Sequence, residues 1–187
     1  MATKLEIINK TLNYLGQPSV NTLDTGDDVI NALSNLYESE KKDLLASTAW
    51  SFAKKWDYLV QTTNTPIDET YKYEYNLPTD YITMRQIYPF SNYEILSGKV
   101  LYSNIGSKLK IQYIYDVDAS QFPPYFTKLM AYALAAEGAM LVTQNVNLAQ
   151  LWSQKYTTQK AIAQNRDATA QPSQTIAHNP IYSSHWT

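Results

Sequence analysis

The sequence predicts an α+β fold: a bundle of about four helices, a small antiparallel β-sheet inserted between them, and an extended C-terminal tail. Three observations carry that expectation. Apolar residues recur every three or four positions near both ends of the chain. Between about residues 70 and 116 they alternate every second position. Residues 168–187 contain Pro172 and Pro180 and show no period. Helices are expected at 3–15, 26–50, 124–143 and 147–166, forming one domain over 1–167.

Thr3 followed by Glu6 is a capping box, in which each side chain satisfies a backbone N–H left open at a helix start. Leu5, Ile8, Leu12 and Leu15 then form one stripe, and Gly16 and Pro18 stop the helix. Thr25 and Asp28 repeat the start signal for a longer helix. Its stripe is Val29, Leu33, Leu36, Tyr37, Leu44 and Leu45, with Glu38, Glu40, Lys41, Lys42 and Asp43 as the solvated face. This helix is expected to run through Trp50.

The period then changes. Tyr71, Tyr73, Tyr75 and Leu77 alternate with Lys72, Glu74 and Asn76, and Pro78 ends that strand. Residues 93–102 read as a hairpin turning at Ser97-Gly98, which pairs Ile95 with Val100 and Tyr93 with Tyr102. Leu109, Ile111, Tyr113 and Tyr115 alternate with Lys108, Lys110 and Gln112. About three to five consecutive strands of this kind make a small antiparallel sheet.

Pro123 and Pro124 suit an extended approach and a first helical turn. From Leu129 to Val142 the segment is apolar almost all round, which places it between other helices or between subunits, with Leu134 and Leu141 as core. Leu148, Leu151, Trp152, Tyr156 and Ala163 stripe the last helix, which ends near Arg166 and Asp167. The tail beyond it is short and polar, yet it holds Ile176, Ile181, Tyr182 and Trp186. These four residues are anchors for a partner, or else the tail folds back on its own domain.

The chain has 187 residues, 44% of them hydrophobic, enough for a substantial core. Charged residues make up 17%, fewer than the roughly 25% of ordinary domains, and sixteen tyrosines help fill the gap. Tyr suits contact surfaces because it buries area and keeps a hydroxyl; a biased genome composition is the other reading. A net charge of −2 gives no basic footprint for tight nucleic-acid binding. The absence of cysteine excludes disulfides, thiolate metal sites and a cysteine nucleophile. No apolar run reaches the roughly 20 residues of a membrane span. Glu6 and Asn9 interrupt any signal-peptide core, so a protein used without secretion is expected.

Candidate chemistry is sparse. His178 and His185 are the only histidines, both on the Pro-containing tail, where no rigid general base or metal site is expected. Asp27 and Asp28 read as helix N-terminal charges. Asp116 and Asp118 are too few for a calcium loop. Glu137 is expected to pair with Arg166 or Lys155 across a helix interface. Lys54-Lys55-Trp56 joins charge to an aromatic ring, as single-stranded nucleic-acid sites do, but Trp50 and Phe52 beside it read as core anchors. No enzymatic constellation is expected, and no cofactor.

Three short signatures occur in a fixed order: Trp50-Ser51-Phe52-Ala53, Leu77-Pro78-Thr79-Asp80-Tyr81, and Phe122-Pro123-Pro124-Tyr125-Phe126 ahead of the Ala-rich Leu134-Ala135-Ala136. In this order, over roughly residues 4 to 167, the chain resembles the head-to-tail adaptors of short-tailed bacteriophages, the tail tubular protein A type. It is richer in Tyr, Asn and Lys and poorer in Arg than that family. The resemblance implies a non-enzymatic virion protein of the tail or neck, assembled in the bacterial host cytoplasm. It implies a homo-oligomeric ring, a dodecamer in the family, joining the portal protein to the tail nozzle protein. Duplex DNA would pass through without specific binding. Trp50, Phe52, Leu77, Pro78, Asp80, Phe122 and Pro123 are then family-signature core residues, and Ile176, Ile181, Tyr182 and Trp186 dock the portal. Two alternatives are a head-completion connector of a long-tailed phage and a carbohydrate-binding or degrading tail component that uses an aromatic sheet face.

Overall fold

The computed structural model describes residues 2–24, 26–106 and 108–170. Among the described residues four helices, α1 (Lys4–Tyr14), α2 (Asp28–Ser47), α3 (Pro124–Thr143) and α4 (Val146–Ala170), flank in sequence a β region inserted between α2 and α3. The α+β architecture is as the sequence predicts. The tail anchors Ile176, Ile181, Tyr182 and Trp186, and both histidines, lie outside the described residues.

Local signals set the first helix. Thr3 accepts from the Glu6 N–H while the Glu6 carboxylate accepts from the Thr3 N–H, closing the capping box. At the other end the Gln17 N–H bonds the Leu12 carbonyl around Gly16. The second helix starts later than expected, because Asp27 is the cap and accepts from the Val29 N–H at 2.8 Å. It also stops earlier. Thr48 is extended, and Trp50 and Phe52 sit at a 3₁₀ turn (Ser51–Ala53), not on the helix. The charged cluster on this helix is only partly solvated, since Lys41 bridges Asp116 at 2.6 Å and Lys4 bridges Glu38 at 2.8 Å.

The β region is larger than expected and begins at residue 54, not 70. Strands β1 (Lys54–Tyr58), β2 (Val60–Gln61), β3 (Tyr73–Asn76), β4 (Tyr81–Tyr88), β5 (Tyr93–Leu96), β6 (Val100–Ser103) and β7 (Lys110–Tyr115) form two antiparallel sheets. One has the order β1-β7-β4, the other β2-β3-β6-β5. A single extended run passes from one sheet to the other at Leu59, where β1 gives way to β2. Leu59, Tyr75, Leu101, Leu109, Ile111 and Tyr113 fill the space between the sheets. Ile114, on the opposite face of β7, is buried with Trp50, Phe126 and Leu134 in the helical core. The central strand β7 therefore serves both cores, which is why its buried residues do not alternate cleanly.

The hairpin register is one residue away from expectation. Ile95 pairs with Leu101 and Tyr93 with Ser103, because Lys99 is an extra residue in the turn. Ser97 and Gly98 both have positive φ, and the Lys99 N–H closes the turn on the Leu96 carbonyl. The Lys99 carbonyl is meanwhile held by the Leu77 N–H at 2.9 Å, which fixes the extra residue in place. Glu74, expected at a solvated strand position, is buried and accepts from Thr62 Oγ1 and Asn64 Nδ2.

Helix α3 is central, packed by α1, α2 and α4. Pro123 occupies the cap position, its carbonyl accepting from Phe126 and Thr127, and Pro124 opens the helix. A Cβ on Gly138 would stand 2.9 Å from Leu33 Cδ2, so this glycine permits the close approach of α2. The helix is not buried on every side. Leu134 is fully buried, whereas Leu141, expected in the core, is 57% exposed. Leu134→Ala should therefore cost about 2–5 kcal/mol. Leu141→Ala should stay within about 0.5 kcal/mol of the parent. Denaturant midpoints for the two variants check the contrast, and equal shifts would refute it.

Helix α4 extends past the expected end to Ala170. Trp152 is buried against Tyr14 and Tyr132, with ring centroids at 4.8 and 5.3 Å. Leu151, expected in the same buried stripe, is 44% exposed. A helix with three or four apolar residues per two turns leaves its neighbours to decide which are covered, and here α1 and α3 choose Trp152. Glu137 is exposed and takes no part in the ion pairs formed among the described residues, so its expected pairing with Arg166 or Lys155 is not made.

Candidate assembly site

The first and third signatures meet in one structural joint, and the second is fastened beside it through Lys55 of β1. Trp50 is fully buried, and its indole N–H donates to the Leu44 carbonyl at 2.7 Å. Its ring stands edge-on to Phe126 at 5.1 Å, and Phe52 packs edge-on against Phe126, Phe122 and Tyr125. The first and third signatures thus share one aromatic cluster, in which Phe52 is half-buried and Phe122 buried.

A single carboxylate locks that cluster to the end of α4. Asp167 is buried and accepts from the Ser51 N–H at 2.8 Å, Ser51 Oγ at 2.7 Å and the Tyr125 hydroxyl at 2.7 Å. Burial, then the neighbouring Asp167 carboxylate, pushes the Tyr125 phenol well above its usual range. Tyr125 is therefore a hydroxyl donor across the ordinary pH range. Nothing in the local sequence around Asp167 points to this duty, because Tyr125 lies 42 residues away and Ser51 116.

The turn Ser51–Ala53 runs directly into β1, whose Lys55 donates to Asp80 at 3.1 Å. Asp80 also accepts from the Tyr113 hydroxyl at 2.9 Å, and its carbonyl accepts from the Asp116 N–H at 2.8 Å. Burial first, then the Asp80 carboxylate, pushes Tyr113 up to about 12. Pro78 turns the chain by accepting from the Tyr81 N–H, and Leu77 is buried between the two sheets. The second signature thereby fastens β1, β4 and β7 beside the same joint. The signature residues have structural duties here, as core, turn or hydrogen-bond anchor.

Two further carboxylates also have structural partners. Asp116 takes Lys41, and Asp118 caps a 3₁₀ turn at Ala119–Gln121 by accepting from the Ser120 N–H. Among the described residues no group of three or more His, Asp or Glu side chains could hold a metal ion. None of the helices among them is long and apolar enough to cross a membrane. Among the described tyrosines Tyr58, Tyr88 and Tyr93 are exposed, and the others are buried or half-buried.

Trp56, Tyr58 and Tyr88 lie on the same face of the three-stranded sheet as Ile114, at the end that the helices leave exposed. Lys110 stands over Trp56 at 4.6 Å and Tyr58 at 5.8 Å. Lys54-Lys55-Trp56 is therefore an edge strand, not a core element: Lys55 turns to Asp80 and Trp56 to the outside. Further exposed apolar residues, Met140, Leu141, Val146, Leu151 and Ile162, are spread over the α3–α4 hairpin.

Near that hairpin, burial raises the Glu40 carboxyl, and the Glu137 and Asp43 charges raise it further against Lys160. A carboxyl with a raised folded pKa weakens the fold while it is ionised, and the penalty vanishes below its ordinary value of 4.5. Glu40→Gln should accordingly raise the melting temperature at neutral pH, with the gain shrinking as pH falls through the raised pKa. Melting curves across that range check it, and a gain that grows on acidification would contradict the sign. No protein-family model matches the chain, and no curated protein is matched by it.

Proposed function

We propose that the chain is a structural virion protein, the ring-forming adaptor between the portal and the tail nozzle of a short-tailed phage. The observation that carries this reading is the joint itself. The first and third signatures, far apart in sequence, share the aromatic cluster and the Asp167 carboxylate, and the second is tied beside them through the Lys55–Asp80 bond of the adjoining strand. Their duties are architectural, which suits a protein that works by holding a shape among partners and performs no catalysis. Exposed apolar residues on two separate regions suit an assembly subunit as well.

In this reading the tail anchors Ile176, Ile181, Tyr182 and Trp186 dock the portal. Copies related by rotation surround a channel for duplex DNA. A subunit of net charge −2 gives a ring that repels phosphate on balance, so DNA slides without being gripped. Copy number tests the reading. Purified virions should contain about a dozen copies, the ring size that the resemblance implies. Three copies per virion would point instead to a fibre-like component, and submicromolar duplex binding with a steep salt slope would point to a nucleic-acid-binding role.

A further inference from the structure

The α3–α4 hairpin carries two exposed flanks of opposite character. On one side a groove is lined by Lys128 and Tyr132 of α3 and Leu151, Lys155 and Ile162 of α4. Leu151 is 44% and Ile162 41% exposed, and the charged residues lining the groove are lysines. On the other side stand Glu137 and Leu141, each nine residues beyond Lys128 and Tyr132 on the same helix. Nine residues are about two and a half turns, so these pairs point in opposite directions from the α3 axis. Glu137 and Asp43 both crowd the Glu40 carboxyl of α2, and Lys160 is the cation that acts against them there. That crowding is a cost in the isolated chain, which an incoming cation would relieve.

We propose that the groove of one copy receives the Glu137–Leu141 flank of a second copy. Leu141 seats against Leu151 and Ile162, and Lys128 and Lys155 face the carboxylates of Glu137 and Glu40. Charge complementarity selects the occupant: the groove offers lysines, and the same chain offers carboxylates beside an exposed leucine on the opposite side. The contact is heterologous, since each copy presents two different surfaces and keeps one of each free. Such contacts propagate until they close into a ring. The inference rests on the ring reading for that closure alone, and it names the surfaces that reading requires.

The chain has no cysteine, so single introduced cysteines report contacts cleanly. Full-length Lys155→Cys and Glu137→Cys would be prepared separately, then cross-linked with a short bismaleimide, each alone and as a mixture. The proposal predicts a dimer band in the mixture and its near absence with either variant alone. Sedimentation provides the second measurement. Lys128→Glu and Glu137→Lys should each lose self-association. Mixing the two should restore it, because the exchanged charges again face each other with opposite sign across the contact. Products joining 155 to 155 or 137 to 137, or no product at the highest soluble concentration, would overturn the pairing. Rings seen by microscopy without the 155–137 link would also overturn it while leaving the ring reading intact. The 155–137 link in open filaments alone would support the pairing and count against closure.

Discussion

Trp50→Ala should lower stability by about 3–5 kcal/mol, the cost of emptying a fully buried aromatic site. The indole ring packs against both Phe52 and Phe126, so these rings cannot collapse into the space without disturbing their edge-on contact with each other. The Leu44 carbonyl also loses its indole donor at the end of α2. Domains commonly hold only about 5–15 kcal/mol in total, so this variant should sit close to unfolding at body temperature. Trp50→Phe keeps most of the volume and loses the N–H, and its shift should be the smaller of the two. Urea denaturation followed by circular dichroism measures both. A Trp50→Ala midpoint equal to that of a surface variant would refute the role given to this residue.

Asp167→Ala should cost about 2–4 kcal/mol, because truncation strands the Ser51 N–H, the Ser51 hydroxyl and the Tyr125 hydroxyl in a partly buried setting. The effect should be shared among the partners. The double variant Asp167→Ala/Ser51→Ala should be less destabilised than the sum of the two single variants, since both remove the bond from the Ser51 hydroxyl to the carboxylate. Strict additivity would mean that the carboxylate and Ser51 act independently, contrary to the joint described above. Limited proteolysis offers a second reading, as the last turns of α4 should become cleavable once their anchor is lost.

These two residues also mark where the sequence is legible and where it is not. Thr3, Glu6, Gly16 and the Pro123-Pro124 pair act through bonds within a few residues, so the ends they set can be read directly from local pattern. Trp50 is legible as core because a large ring next to an amphipathic helix has few other places to go. Asp167 is not, since its meaning depends on Ser51 and Tyr125, brought close only by the tertiary fold. Strand β4 is hidden for a different reason. Irregular pairing at Tyr81/Thr83 and Met84/Gln86 breaks the alternation that marks a strand. The β1 strand looks like a basic-aromatic motif because its exposed face carries Trp56 and Tyr58, an edge pattern that resembles a binding site. The hairpin slips by one because Lys99 is held by Leu77, from outside the hairpin. All-round apolarity places Leu141 in the core and period places Leu151 there, since neither shows the width that neighbouring helices cover. Their exposure is what distinguishes the two flanks of the α3–α4 hairpin.

The most direct test of the adaptor reading is negative-stain electron microscopy of the purified full-length protein, alone and mixed with the portal protein of its phage. The account predicts closed rings with a central channel wide enough for duplex DNA, stacked coaxially on the portal. A protein that stays monomeric in both samples and leaves the portal bare would contradict it.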